Sequence, residues 1–317
     1  MRMLRMIFFL AGMLIALAVT ACGEERHYSP ESGDLPNGVE AVSLDGRLLY
    51  IPTLPPKVFM EREGQLARAR ELYRNNPGNA EALIWYGRRC AYLGRYREAL
   101  AIFSEGIEKF PDDARMYRHR GHRYITTRQL DRAIADLDTA AALIADKADR
   151  VEPDGLPNAR NIPTSTLQGN IWYHLGLAHY LKGDFSRAQE AYRECLAVAK
   201  NPDMLSATTY WLYLTLRRLE RDAEAAAVLA PIEAGMDIIE NVAYHRLLLL
   251  YKGEIAPEDL PEKTGDGPAD ATLAYGLAMW HYLNGDPAAA RRRFETICAT
   301  GDWPAFGHLA AEAELLR

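Results

Sequence analysis

The sequence predicts an all-α fold, a helix-turn-helix solenoid approached through a short extended N-terminal tether, and three observations predict it. Residue types return at a spacing of 34; small and large residues recur at matching places in that period; and the composition, 49% hydrophobic and 25% charged, supports a packed core and excludes wholesale disorder. Aligning 80–113 with 114–147 superposes Gly87 on Gly121, Ala99 on Ala133 and Phe103 on Leu137. The same features return at Gly176, Ala188 and Tyr192, 55 residues on, which is one period plus an insertion of 21. From Gly183, Ala188 and Tyr192 to Gly285, Ala290 and Phe294 the separation is 102, three whole periods. A unit of this size cannot bury its apolar face alone, so stacked neighbours supply the core. The 317 residues, enough for two ordinary domains, read instead as one repeat array.

Taken in order, residues 1–21 come first and are expected to be a removed leader. Arg2 and Arg5 precede an apolar run from Met6 to Val19, too short for a membrane span, and Thr20 and Ala21 close it before Cys22. V-T-A-C resembles the lipobox of bacterial lipoproteins. That resemblance implies a lipid on Cys22, an exported and membrane-anchored chain, and an outer-membrane site facing the periplasm if the organism is Gram-negative; Gly23 rather than Asp after the cysteine is compatible with that sorting. Loss of the leader removes two of 37 bases and no acid, so 35 bases against 43 acids leave −8, and a dedicated nucleic-acid binder is excluded. Residues 22–57 read as the tether. Gly23 to Gly38 is polar with no apolar period, and in AVSLDGRLLYIP the pair Asp45-Gly46 signals a short hairpin. Pro52, Pro55 and Pro56 end it, and helical spacing begins near Val58 at Leu66, Ala69, Leu72 and Tyr73.

The solenoid is expected over 58–317. Its period and its small and large positions resemble the tetratricopeptide repeat, with clear copies at 80–113, 114–147, 169–202 and 271–304. The resemblance implies antiparallel helix pairs in a right-handed superhelix. In it Gly87, Gly121 and Gly176 on first helices and Ala99, Ala133 and Ala188 on second helices allow close packing, large residues such as Phe103 and Tyr192 fill the groove to the next repeat, and Pro111 ends a second helix. Residues 203–270 are degenerate: 203–236 has Tyr210 where the period places a glycine, and after the helix DIIENVAYHRLLLLYKG the prolines 257, 261 and 268 shorten the next one. Residues 148–168 are an insertion with Pro153, Pro157 and Pro163, ending in Ser165-x-x-Gln168, a capping box; such insertions are often recognition loops, and this one is expected to fold over the groove beside Arg118 and His119. WPAFGHLAAEAELLR reads as an amphipathic C-terminal cap. A lipobox followed by such repeats, with YLNGDPAAARRRFETI near the end, is loosely similar to the NlpI-type outer-membrane adaptors, which bring cell-wall hydrolases and a protease together.

In this family first helices line the concave face, which implies groove positions at Trp85, Arg88 and Tyr92, at Arg115, Arg118, His119 and His122, and at Tyr173 and His174. From Trp85 to Arg132 eleven Lys or Arg face six Asp or Glu, a local +5 in an acidic chain. A basic, aromatic groove suits a protein or peptide partner with acidic side chains or a C-terminal carboxylate. The sequence therefore predicts a non-catalytic adaptor of the cell envelope. The alternative is a receptor for a small acidic envelope ligand such as a peptidoglycan stem peptide, and a lesser one an enzyme using His119 and His122. No metal or cofactor is expected: the two histidines lie three apart, with His174 a possible third, but no carboxylate stands at ligand spacing. Cys90, Cys195 and Cys298 fall on separate repeats without CxxC spacing and read as small buried hydrophobes. The 17 tyrosines against eight phenylalanines suggest rings buried with hydroxyls near water.

Overall fold

The computed structural model describes residues 28–261 and 263–317, so the expected leader and Cys22 lie outside the described residues. At Asp45-Gly46 the chain reverses, with Gly46 at φ +90°, and joins β1 (Val39–Val42) to antiparallel β2 (Leu48–Tyr50). Within the stretch expected to be a tether, residues from Val39 on thus belong to the folded body. Val39, Ala41 and Val42 are buried, and Trp303 Nε1 donates to Tyr50 O at 2.8 Å. Helix α1 (Pro56–Asn75) follows, and Pro55 and Pro56 give the chain its helical entry without a lost hydrogen bond.

Helix pairs then repeat: α2 (Ala80–Tyr92) with α3 (Tyr96–Lys109), α4 (Ala114–Thr126) with α5 (Leu130–Ile144), and α6 (Leu167–Lys182) with α7 (Phe185–Val198). A polar side chain opens each first helix by accepting an otherwise unpaired N–H: Asn79 from Ala82 N, Asp113 from Arg115 N, Thr166 from Gly169 N at 3.1 Å. The expected box at Ser165 and Gln168 is thus displaced by one residue, because Gln168 donates to Lys147 O and leaves the cap to Thr166. Each glycine of the period is a seat inside its own repeat rather than a spacer toward the next. A methyl group at Gly87 would stand 2.6 Å from the Phe103 ring, at Gly121 2.8 Å from Leu137, and at Gly176 2.7 Å from the Tyr192 ring.

Helix α8 (Pro202–Arg218) is full length, but its partner α9 (Asp222–Val228) has only seven residues. The buried Asp203 carboxylate accepts N–H groups of Ile239, Glu240 and Asn241, which pins the following loop where more helix would run. Helix α10 (Val242–Lys252) leads through a single 3-10 turn at Pro257–Asp259 to α11 (Gly267–Leu283) and α12 (Pro287–Cys298). Most tyrosine hydroxyls of this half are not near water. Trp211 Nε1 donates to Tyr173 OH at 2.8 Å, Tyr173 OH meets Tyr244 OH at 3.0 Å, and Tyr180 OH meets Tyr275 OH at 2.9 Å, all buried. The core satisfies these four hydroxyls internally, while the buried hydroxyls of Tyr192 and Tyr210 have no hydrogen-bond partner among the described residues.

The last helix departs furthest from expectation. Helix α13 (Phe306–Leu315) is no amphipathic end cap: every residue from Gly307 to Ala313 is buried, and the helix packs on α6 as well as on α11 and α12. Its acids are paired inside, Glu312 with Arg128 and Glu314 with Arg218. With Arg47 donating to Cys298 O and Leu44 N to Glu312, the two ends of the described chain meet.

Candidate functional site

Helices α2, α4 and α6 lie side by side, so the 34-residue period brings equivalent positions together. Arg115 holds Asp113 through two nitrogens and also reaches Glu81, one period before it. Across this surface runs the insertion, a strap anchored at its ends by a two-residue antiparallel bridge: Glu152 N donates to Ser165 O at 3.1 Å and Leu167 N to Arg150 O at 2.9 Å. The strap is held as an extended peptide is held. Arg88 donates to Pro153 O at 2.8 Å, Arg89 to Gly155 O at 2.9 Å, and the Glu152 carboxylate lies 3.0 Å from Arg118 Nε, 3.8 Å from His119 Nε2 and 3.2 Å from Asn170 Nδ2. A Cβ on Gly155 would sit 1.8 Å from the Tyr92 hydroxyl oxygen, so a larger residue there requires the strap or the half-buried Tyr92 ring to shift. At its far end Arg160 grips Asp237, and Asn158 and Thr164 bond Glu240.

The nine expected groove residues therefore divide. Trp85, Arg88, Tyr92, Arg115 and His122 are half-buried, and Arg88 stacks on Trp85 at 4.3 Å. Arg118, His119, Tyr173 and His174 are buried, so they do not line an open groove. The reason is coverage: Glu152 lies over Arg118 and His119, while Tyr173 turns into the tyrosine core and His174 packs against His122, ring centres 4.2 Å apart, with Phe306 of α13 5.7 Å away. Burial, reinforced by the neighbouring arginines, holds His119, His122 and His174 well below the usual histidine range, so their rings are neutral at neutral pH. Among the described residues no three His, Cys, Asp or Glu gather as metal ligands.

Residues that sequence reasoning missed are Arg89, Arg123, Glu152 and Phe306. A signal existed for Glu152, an acid immediately before Pro153 in the one segment the period does not need; none existed for Phe306, which approaches His122 from 184 positions away.

The three described cysteines are poor nucleophiles. Burial pushes the Cys195 thiol up to about 12 and Cys298 to about 11, and raises Cys90 further. A thiol reagent at pH 8 is expected to leave all three unmodified in the native chain and to titrate them after unfolding; rapid native labelling of any one would contradict this burial.

Tetratricopeptide-repeat family models match residues 62–121 and 169–202. No curated protein matches the chain. Among solved structures it is similar to a tetratricopeptide repeat protein from Parabacteroides merdae, at 12% identity over 76% of this chain and 92% of that one with a TM-score of 0.46. It is similar too to TTC0263 of Thermus thermophilus, at 20% identity over 61% and 93% with a TM-score of 0.44. YrrB, described as a TPR protein with an unusual peptide-binding site, aligns at 13% identity over 72% and 89% with a TM-score of 0.42. Both family matches fall on helix pairs that carry the glycine seats, so the chain contains tetratricopeptide repeats at 62–121 and 169–202 within a solenoid of helix pairs.

Proposed function

We propose that the chain is a non-catalytic adaptor that binds an extended, acidic protein or peptide segment across α2, α4 and α6, and that it is exported and held in the cell envelope by a lipid on Cys22, on the periplasmic face of an outer membrane if the organism has one. The supporting observation is the strap. Its backbone carbonyls take arginine donors from α2 and its carboxylate takes Arg118 of α4, which is the donor set an extended partner with a carboxylate needs. A partner replaces the strap on these donors, so its affinity is reduced by the fraction of time the strap is closed.

A pull-down from an envelope fraction with the full chain tests this. Arg88→Glu is expected to lose the partner, because it reverses the charge at a half-buried donor, and Gly155→Val is expected to retain more of it, because the added side chain pushes the strap off Tyr92. Retention unchanged by both substitutions would refute the groove. The anchor is tested by fractionation: Cys22→Ser should move the chain from membranes to the soluble fraction.

A further inference from the structure

We infer that the chamber closed in by α2, α4 and the strap binds a small free oxyanion of the phosphate, sulfate or carboxylate kind. The chamber has a volume of about 110 Å³ and is lined by the guanidinium groups of Arg88, Arg118 and Arg123, the imidazoles of His119 and His122, and a single carboxylate, Glu152. Three cations thus face one anion, and the rings are neutral. Glu152 lies against Arg118, while Arg88 donates to neutral acceptors, Tyr92 OH at 3.1 Å and Pro153 O. Arg123 stands 5.5 Å over the Tyr96 ring and, among the described residues, meets no carboxylate at ion-pair distance.

Two positive charges in excess around a partly enclosed space repel each other, because the half-buried setting weakens screening by water. Burial, with Arg118 and Arg88 nearby, brings the Arg123 guanidinium down to about 10, the mark of a cation lacking its counter-charge. An oxyanion supplies that charge, and planar guanidinium forks match its oxygens in pairs. Arg118 can only donate, so its contact at 3.0 Å makes His119 Nδ1 an acceptor and leaves Nε2–H as the ring's donor. A water needs only about 10–15 Å³ of such cavity space, so the chamber has room for a small oxyanion together with several waters. This inference does not rest on the partner reading, because the strap that a partner must displace is the lid of the chamber.

Thermal unfolding of the full chain in sodium phosphate, against sodium chloride at equal ionic strength, tests it. Phosphate at tenfold its Kd is expected to raise Tm by about 2–3 °C, with saturable one-to-one binding by calorimetry. Arg123→Met should abolish the rise, and Arg292→Met, on the exposed face of α12, should keep it. If Arg123→Met does not fold, Arg88→Met provides the second variant and should weaken phosphate binding at least tenfold. Glycerol phosphate, an ester bulkier than the free anion, should bind at least tenfold more weakly than phosphate; equal binding would overturn the free-anion assignment. The same rise in both variants, an adventitious surface effect, would overturn the site. So would the absence of any rise or binding with phosphate, sulfate and acetate alike.

Discussion

Glu312→Ala is expected to cost the fold about 3–5 kcal/mol, the usual loss when one partner of a buried ion pair is removed and its counter-charge stays behind. The stranded charge is Arg128, whose side chain is wholly enclosed. It donates to Glu312 at 2.6 and 3.2 Å, to Thr126 O at 2.6 Å and to Trp303 O at 2.9 Å, and it lies 5.2 Å from the Trp303 ring. Glu312 in turn accepts Leu44 N at 3.1 Å and stands 3.2 Å from His308. One carboxylate therefore joins the α4–α5 turn, the N-terminal hairpin and α13. The turn makes the pair unusual. In the repeat register Arg128 corresponds to Gly94, Gly183 and Gly285, all in the left-handed region, and it holds the same conformation at φ +64°. A residue with a side chain is strained there by about 1–3 kcal/mol, and the pair with Glu312 offsets the strain. Arg128→Gly relieves the backbone yet buries Glu312 unpaired, so it too destabilises. The double variant Arg128→Gly with Glu312→Ala removes both charges and is expected to be more stable than Glu312→Ala alone. Urea unfolding of the four proteins checks this; additive losses would show that the two residues are not coupled.

The same pair sets an acid limit. Burial alone would raise the Glu312 carboxyl, but His308, Arg128 and Leu44 N outweigh it and pull the group from 4.5 to about 2. Its folded value is depressed, so the stabilisation is fully present above about 4.5 and is lost as pH falls through 2, of order 3 kcal/mol in all. Over that interval the melting temperature of the wild type should fall more steeply than that of Glu312→Gln. Parallel profiles would assign the acid lability to other carboxylates.

The periodic part of this fold was legible because a period is local: Gly87 and Phe103, or Gly176 and Tyr192, report one seat within a single helix pair. The hairpin was legible for the same reason, at Asp45-Gly46. What hid was the pairing of charges across long separations. Glu312 and Glu314 look like a solvated face of α13, and a carboxylate bound for Arg128 or Arg218 has no local mark that distinguishes it from one bound for water. The family resemblance implies an open concave face on α2, α4 and α6, with Tyr173 and His174 toward a ligand; the burial of both reflects contacts with distant elements that no local pattern marks. The strap was visible as an insertion, and a position beside Arg118 and His119 was expected of it, but not the reach of Glu152 to both. The register did carry one unused clue, the arginine at 128 where its counterparts are glycine.

Gly307→Val is the second large effect, because at this point two backbones touch. A Cβ on Gly307 would stand 2.2 Å from Ala271 O and 2.6 Å from Ala271 C, and both belong to the main chain of α11. At Gly87 the obstacle is the Phe103 ring, which can rotate away; here only a shift of a whole helix makes room. Overpacking in a rigid core costs about 1–3 kcal/mol, and the loss should exceed that range because the shift also strains the Glu312–Arg128 pair five residues along α13. Hydrogen exchange is expected to rise together in α13 and the β1–β2 hairpin, which share Glu312, before it rises in α7 or α8. Displacing α13 also lifts Phe306 from His122 and His174, rings now 5.4 and 5.7 Å from it, and so uncovers the side of the surface that the strap leaves untouched. The variant should therefore bind a groove partner at least as well as wild type despite its lower stability. Gly301→Ala, where a Cβ meets nothing within 4 Å, is the control and should change stability little. Equal stability of Gly307→Val and wild type would show that α13 and α11 are not in backbone contact, and exchange confined to α13 would show that the hairpin does not depend on it.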